Sequence, residues 1–295
     1  MKKAFRWVGI TLGFIGGILL FAIIGMYLNS ARQLNQTYEI TGEKIAIPID
    51  EQSIANGKKW VEAICSSCHG ADLSGTTMVD DPAIGRVDAA NLTSGNGGIG
   101  SSYTDEDWVR AIRHGVAQDG TPLVIMPSSA FWNFNDKDLG EVIAYLKTLP
   151  PVDHQTRVEL AFVGTMVLPN DPTVLHVKLI DHNNRPAAPI LGVTPEYGHY
   201  LVNTSGCREC HGDDLSGKVA SNGRPAAPNL TLGGELQVWS AGDFIQTIRT
   251  GVAPSGRALE PDEMPWKEYS HYSDDELTAI YLYLQSLSAL AFDNQ

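Results

Sequence analysis

The longest apolar segment lies at the N-terminus, where Trp7–Leu28 form an uninterrupted run without a charged side chain. As an α-helix this run would be about 33 Å long, enough to cross the hydrocarbon core of a bilayer. Lys2, Lys3 and Arg6 precede it, which predicts a cytoplasmic N-terminus and an outward-facing remainder. A cleaved signal peptide is the alternative, but its apolar core would be shorter. We therefore expect residues 1–28 to be an uncleaved anchor.

Beyond the anchor, apolar residues recur at helical spacing behind four polar caps. Thr104 and Ser240 each precede an apolar stripe and are followed three residues later by an aspartate. Ser273 begins a capping box, and Asn135 is the matching cap in the earlier part of the chain. No long alternating pattern typical of strands is evident. The pattern predicts an all-α protein.

The chain contains the same unit twice. The order of motifs is conserved between the two copies: Cys65–Gly75 returns as Cys207–Gly217, Asn91–Thr93 as Asn229–Thr231, and Met126–Pro127 as Met264–Pro265. Two long copies indicate a duplicated domain rather than a solenoid. We expect a tether at 29–50, a first domain at 51–150, a linker at 151–194 and a second domain at 195–290. The linker contains apolar stretches, and we expect it to lie over the domains.

The four cysteines form two Cys-x-x-Cys-His motifs, the attachment signal of c-type haem. Two intervening residues let both sulfurs reach the vinyl groups of one porphyrin, and the histidine that follows points at the iron. A zinc site would need further cysteines or clustered histidines near each pair, and a thioredoxin-like pair would follow a strand. The motifs predict two covalently bound haems c, on Cys65 and Cys68 with His69, and on Cys207 and Cys210 with His211.

The second axial ligands are predicted downstream. Met126 and Met264 occupy equivalent positions, each before a proline and between two predicted helices. Thioethers bind ferrous iron well and raise its reduction potential. Met78 has no counterpart in the other copy, Met166 lies in the linker, and the counterpart of His114 is Thr250. We therefore expect His/Met ligation at both irons, which leaves no open position for oxygen or peroxide.

Several residues are candidate supports of these sites. Arg113 and Arg249 are equivalent and could contact the haem propionates, or could be ordinary helix residues facing solvent. Asn91 and Asn229 could each brace the loop that carries a hydrogen-bond partner of the histidine, or could only form turns. Gly57 and Gly198 are expected where the first and last helices of each copy cross.

Together these motifs resemble class I cytochrome c domains. The closest pattern is that of the membrane-bound multihaem cytochrome c subunits of bacterial alcohol and gluconate dehydrogenases. The likeness rests on Cys-x-x-Cys-His-Gly followed by Asp-Leu-Ser-Gly, then Asn-Leu-Thr and Met-Pro, over about residues 51–150 and 195–290. It implies small helical domains, each wrapped around one haem. Those subunits usually carry three haems, whereas this chain has two motifs, and Ala90 replaces the usual proline before Asn-Leu-Thr.

The charge of the chain limits its partners. The net charge is −13, and the anchor contributes three of the 21 basic residues and none of the 34 acidic ones. This sign disfavours nucleic acid. We predict a membrane-anchored dihaem electron carrier, not an enzyme, on the periplasmic face of the bacterial inner membrane. Its expected donor is a dehydrogenase or quinol-oxidising complex, and its acceptor an oxidase, reaction centre or soluble cytochrome. The alternatives are a dihaem peroxidase or thiosulfate dehydrogenase, and an integral subunit of a respiratory complex.

Overall fold

The computed structural model describes residues 2–220, 226–261 and 263–292. Its first element, α1 (Lys2–Leu34), contains the predicted anchor. Within the described residues, the stretch Arg6–Leu34 is the one helix long and apolar enough to cross a membrane. Its apolar side chains lie in the open, since none of the most hydrophobic window is buried. A membrane helix and a signal sequence both have these properties.

The first copy is built from five helices. They are α2 (Glu51–Ile64), α3 (Ser66–His69), α4 (Asp105–His114), α5 (Ser128–Phe131) and α6 (Asp136–Leu146). The linker contributes α7 (Phe162–Val167) and two 3-10 turns at Leu168–Asn170 and His176–Leu179. The second copy repeats the set as α8 (Pro195–Thr204), α9 (Cys207–His211), α10 (Ala241–Thr250), α11 (Trp266–Tyr269) and α12 (Asp274–Ser286), with a 3-10 turn at Glu235–Gln237.

The predicted caps are confirmed. Thr104 and Ser240 each accept a hydrogen bond from the third residue of the helix that follows, and the aspartate there completes a capping box. Asn135 caps α6, and Ser273 forms a capping box with Glu276 at the start of α12. Each cap satisfies backbone N–H groups that the first helical turn leaves without a partner. Local sequence therefore sets where the helices around each site begin.

The first and last helices of each copy cross at the expected glycines. A Cβ atom at Gly57 would lie 1.8 Å from the carbonyl oxygen of Glu141, and one at Gly198 would lie 1.9 Å from that of Ala279. Any side chain would push the helices apart. The crossing of α2 with α6, and of α8 with α12, thus depends on the absence of a Cβ atom.

The predicted all-α class needs a correction, because the mainly helical protein also has a small sheet. Strands β1 (Thr77–Asp81) and β2 (Gly85–Asp88) form an antiparallel hairpin. Strand β3 (Val158–Leu160) pairs antiparallel with β2 and comes from the linker. The strands are too short to show alternation, and the third arrives from far along the chain. Sequence periodicity therefore gave no signal for this sheet.

The two copies share one hydrophobic core. Trp60 of α2 packs edge-to-face against Phe134 of its own copy and against Tyr200 and Tyr272 of the other, with ring centroids 5.1, 6.2 and 5.7 Å away. Such aromatic pairs add to the free energy of burial. We call this contact region, centred on Trp60, the seam. It joins the two copies into a single packed unit.

The polar contacts of the seam are reciprocal. Lys59 of the first copy pairs with Glu276 of the second, while Tyr200 of the second donates to Asp138 of the first at 2.6 Å. Lys59 and Tyr200 each lie two residues after the crossing glycine, and Asp138 and Glu276 each lie three residues after a helix cap. The same two positions therefore contact each other twice, once in each direction between the copies. This is the pattern of a pseudo-twofold axis, as in an isologous dimer.

Candidate haem sites

Both Cys-x-x-Cys-His motifs lie on a short helix directly after the first long helix of their copy. Cys65, Cys68 and Cys207 form no disulfide. Burial raises the pKa of Cys65 to about 12 and that of Cys207 to about 12. A thioredoxin-like pair instead needs a lowered thiol pKa. Among the described residues there is also no group of three or more side chains suited to a metal ion such as zinc. The raised thiol pKa values count against a thioredoxin-like pair.

The two motif histidines are held in the same way. Nδ1 of His69 donates to the carbonyl oxygen of Ala90 at 2.7 Å, and Nδ1 of His211 donates to that of Pro228 at 2.8 Å. A carbonyl can only accept, so the proton lies on Nδ1 and Nε2 keeps its lone pair for a metal. Burial lowers the pKa of both imidazoles, which favours the neutral form that ligation requires. Alanine in place of proline at position 90 leaves this contact intact.

The loop that supplies these carbonyls is held by an unusual backbone conformation. Leu73 and Leu215, four residues after the end of each motif helix, have φ angles of 60° and 65°. Their carbonyls accept hydrogen bonds at 2.8 Å from the N–H groups of Leu92 and Leu230. A left-handed leucine costs about 1–3 kcal/mol and persists where the surroundings require it. The same strained turn in both copies places the Asn-Leu-Thr segment beside the histidine.

The asparagines of that segment brace the loop, as one of the two sequence interpretations suggested. Asn91 accepts from the N–H of Thr93 at 2.9 Å and donates to the carbonyl of Val152 at 2.8 Å. Asn229 accepts from Thr231 and donates to the carbonyl of Leu290 at 2.8 Å. Each asparagine thus ties the histidine's partner loop to the chain that leaves the last helix of its copy.

Met126 and Met264 occupy equivalent positions in the fold. Each is partly buried against the shared core and lies immediately before a Pro residue that precedes a one-turn helix. In both copies the methionine carbonyl accepts a hydrogen bond from the residue two positions later, at 2.8 Å from Ser128 and 2.7 Å from Trp266. The matched loops are consistent with a matched role. Iron ligation by these two sulfurs stays a prediction.

Arg113 and Arg249 make a matched set of contacts with the start of the last helix of their copy. Arg113 donates to the carbonyl of Phe134 and pairs with Asp136, both at the start of α6. Arg249 donates to the carbonyl of Tyr272 and pairs with Asp274 at the start of α12. Each arginine therefore links the two helices that flank the methionine loop. Nε of Arg113 is buried without a partner among the described residues, so one donor is left for an acceptor such as a propionate. Propionate contact stays a prediction.

Arg113 and its partner Asp136 have additional polar contacts with the tether and the linker. Glu43 of the tether pairs with Arg113 at 3.2 Å and accepts from His114. Although burial alone would raise it, the pKa of Glu43 is lowered to about 2 by that hydrogen bond and by the charge of Arg113. Arg185 of the linker pairs with Asp136 at 2.7 Å. These contacts from tether and linker were not foreseen from the sequence, since no local pattern marks them.

The linker also covers the Met126 loop. The N–H of Ile125 donates to the carbonyl of Val174 at 2.8 Å, and Ser129 contacts His176 at 2.7 Å. His176 and Val177 are buried there. The sequence predicted that the linker lies over the domains, and the structure places this part of it on the first copy.

Both copies match known families of haem proteins. Residues 54–150 match the cytochrome c family, and residues 194–284 match the family described as cytochrome c oxidase, cbb3-type, subunit III. The chain is therefore composed of two cytochrome c domains. Such domains hold covalently bound haem c and transfer electrons, so the chain is an electron-transfer protein rather than the catalytic part of an enzyme.

More particular similarities come from whole-chain relatives. The fructose dehydrogenase cytochrome subunit of Gluconobacter japonicus is 29% identical over 80% of this chain and 52% of its own length. The gluconate 2-dehydrogenase cytochrome c subunit of Pantoea cypripedii is 30% identical over 76% of this chain and 57% of its own. A dihaem cytochrome c-type protein of Cereibacter sphaeroides is 26% identical over 77% and 82%. The chain spans about half the length of the first two relatives.

Proposed function

We propose that this chain is a membrane-anchored dihaem c-type cytochrome that transfers single electrons. The observation that carries the proposal is the repeated Nδ1–H to carbonyl hydrogen bond of His69 and His211, which leaves Nε2 of each imidazole free to bind iron. One haem would be attached to Cys65 and Cys68 and the other to Cys207 and Cys210. The dihaem relative, with a similar length of match, supports the count of two.

Met126 and Met264 would complete the two iron coordination spheres. Haem iron cycles between ferrous and ferric states, and a thioether ligand favours the ferrous form. With a histidine and a methionine on each iron, no position is open to a small substrate. Each domain would then exchange electrons through the haem edge. The protein's own part is to fix the two ligands and exclude water around them.

The proposed membrane attachment and the proposed redox partners rest on different observations. Helix α1 would anchor the chain, with the basic residues before its apolar run on the cytoplasmic side and both domains in the periplasm. The relatives named as dehydrogenase cytochrome subunits favour a dehydrogenase as donor. The chain would pass electrons to an oxidase, reaction centre or soluble cytochrome. A stable subunit of such a dehydrogenase complex is the second candidate, supported by the same relatives.

Ligand assignment is tested by haem content and spectroscopy. Pyridine haemochrome titration of the purified full-length chain should give two haems c per polypeptide. Met126→Ala and Met264→Ala should each remove about half of the near-infrared Met-to-iron absorption, and the double variant should remove all of it. Met78→Ala is the matched control, since Met78 has no counterpart in the second copy, and it should leave the band unchanged.

Three outcomes would contradict the proposal. A single haem per chain would remove the dihaem assignment. A full band in either single variant would show that another side chain binds that iron. Rapid peroxide or cyanide binding by the unaltered protein would indicate an open coordination position and favour a dihaem oxidoreductase such as a peroxidase. Purification in mild detergent separates a free carrier from a subunit that stays with a dehydrogenase.

A further inference from the structure

Helix α7 of the linker packs against the end of the anchor helix. Phe162 stacks on Tyr27 of α1, with ring centroids 5.0 Å apart and planes 15° apart. Ser30, which is fully buried, donates to the carbonyl of Met166 at 3.0 Å. Asn170 then donates to Ser30 at 2.9 Å. These contacts fix the linker helix at the level where the apolar run of α1 ends.

The polarity of α7 is the reverse of that of an ordinary surface helix. Gly164 and Thr165 are its buried residues, whereas Phe162, Val163 and Val167 are 56%, 43% and 44% exposed. A surface helix of a water-soluble domain places apolar residues inward and polar residues outward. We call these three exposed residues the collar. Exposure of these three side chains would be favourable if the outer side of the helix faced an apolar medium rather than water.

The collar cannot turn inward, because α7 is fixed to the first cytochrome domain. The N–H of Ala161 donates to the carbonyl of Ile84 at 3.0 Å, and the N–H of Gly164 donates to that of Ala83 at 3.2 Å. A Cβ at Gly164 would lie 1.9 Å from the carbonyl oxygen of Ile84, so only glycine permits this approach. The outward direction of the collar is therefore set by the fold.

We propose that the collar enters the surface of the lipid bilayer and sets the orientation of the haem domains relative to the membrane. This inference rests on the proposed anchor. Tyr27 is the penultimate residue of the apolar run Trp7–Leu28, at the depth where aromatic residues gather in membrane helices. Phe162 lies at the same depth because it stacks on Tyr27, and Val163 follows it. The bilayer that surrounds α1 is therefore continuous with the collar, and it is the occupant we commit to.

The test measures what surrounds a nitroxide label at single introduced cysteines. Val163→Cys reports on the collar, Phe14→Cys on the anchor and Val238→Cys on an 81% exposed valine of the second domain. The full-length protein is placed in phosphatidylcholine nanodiscs without any partner. Power saturation is compared with oxygen, which concentrates in lipid, and with a nickel chelate, which stays in water. Subtracting the saturation without relaxant removes the constant effect of haem iron.

We expect oxygen to relax the label more than nickel at positions 14 and 163, and the reverse at 238. For Val167→Cys, one helical turn further along α7, the ratio of oxygen to nickel relaxation should lie between the ratio at position 163 and the ratio at position 238. A label at 163 that responds to nickel like the one at 238, while position 14 reports lipid, would overturn the collar and leave the anchor standing. Low response to both reagents at 163 would mean burial in protein and would also overturn it.

Two further readings separate this inference from the proposed function. Nickel accessibility at position 14 would refute the anchor itself, and with it the basis of the collar. The unaltered chain should take no label, because all four native cysteines would be thioethers. Labelling of the unaltered chain would count against haem attachment, whatever the collar residues report.

Discussion

The two cytochrome domains have nearly the same internal geometry but very different coverings. In the first, the tether lies along α4 and α6, the linker lies on the Met126 loop, and β3 extends the hairpin. In the second, no segment of this kind covers the Met264 loop within the residues that the structure describes. Val116 is fully buried, whereas the equivalent Val252 is 44% exposed. We therefore expect equivalent residues of the two domains to contribute unequally to the free energy of unfolding.

The arginine that links the helices around each methionine loop should show the largest difference. The side chain of Arg113 is fully buried and pairs with the half-exposed carboxylates of Glu43 and Asp136, whereas the side chain of Arg249 is 30% exposed. Removing one partner from a buried ion pair costs about 3–5 kcal/mol. The two carboxylates remain partly hydrated, so we expect Arg113→Gln to lower the free energy of unfolding by about 3 kcal/mol, the lower end of that range. Arg249→Gln should lower it by about 1 kcal/mol, as for ordinary hydrogen bonds.

Urea unfolding followed by circular dichroism measures both variants. The near-infrared band serves as a second readout, since loosening α4 from α6 should weaken the Met126 signal in Arg113→Gln. Equal losses of stability in the two variants would show that tether and linker add nothing to the first site. A larger loss for Arg249→Gln would reverse the comparison.

Much of this asymmetry lies beyond what the sequence could predict. Caps such as Thr104 and Ser273 and crossing glycines such as Gly57 are local signals, and each was found where expected. The two motif histidines are also marked by a local signal, since each directly follows a Cys-x-x-Cys pair. The pairing of β3 with β2, by contrast, joins segments about seventy residues apart and has no periodic signature.

The candidate sites show the same division. Residue type and spacing predicted the four cysteines proposed to hold haem and both pairs of proposed axial ligands. The loop that carries the histidine's partner was expected, but the accepting carbonyls could not be read from the sequence, because a backbone group carries no residue-type signal. The sequence also did not predict the pairing of Arg113 with Glu43, because contacts between charged side chains of distant segments depend on how those segments pack. The seam was missed because each half of it looks like an ordinary helix face.

Two equivalent valines provide a smaller and more direct test of the covering. Val116→Thr places a hydroxyl in a fully buried position, which should lower the free energy of unfolding by about 1–3 kcal/mol. Val252→Thr, at a position 44% exposed, should change it by less than about 0.5 kcal/mol. Thermal unfolding of both variants at one pH makes the measurement. Similar losses in the two would mean that exposure does not distinguish these positions.

The seam offers the smallest expected effect, through the pH dependence of stability. Burial raises the pKa of Asp138, whose Oδ2 accepts hydrogen bonds from Tyr200 at 2.6 Å and Asn135 at 2.8 Å. The folded protein therefore keeps a proton that the unfolded chain releases above about pH 3.9. As pH rises from there towards the folded pKa, this carboxyl lowers the free energy of unfolding, and above that pKa its penalty is constant. Asp138→Asn should remove the penalty.

The quantity to follow is the stability of Asp138→Asn minus that of the unaltered protein, by urea unfolding from pH 4 to pH 7. This difference should grow in favour of the variant as pH rises from the unfolded pKa towards the raised folded pKa, and should then stay level. Asp119→Asn is the control of opposite sign. Hydrogen bonds from Thr121 lower the pKa of Asp119, so its ionised form stabilises the fold. That stabilisation is lost as pH falls through the folded pKa and is present in full above the unfolded pKa of about 3.9, so Asp119→Asn should be less stable than the unaltered protein by a nearly constant amount over most of this range. A difference for Asp138→Asn that falls with pH would show that the seam favours the charged carboxylate.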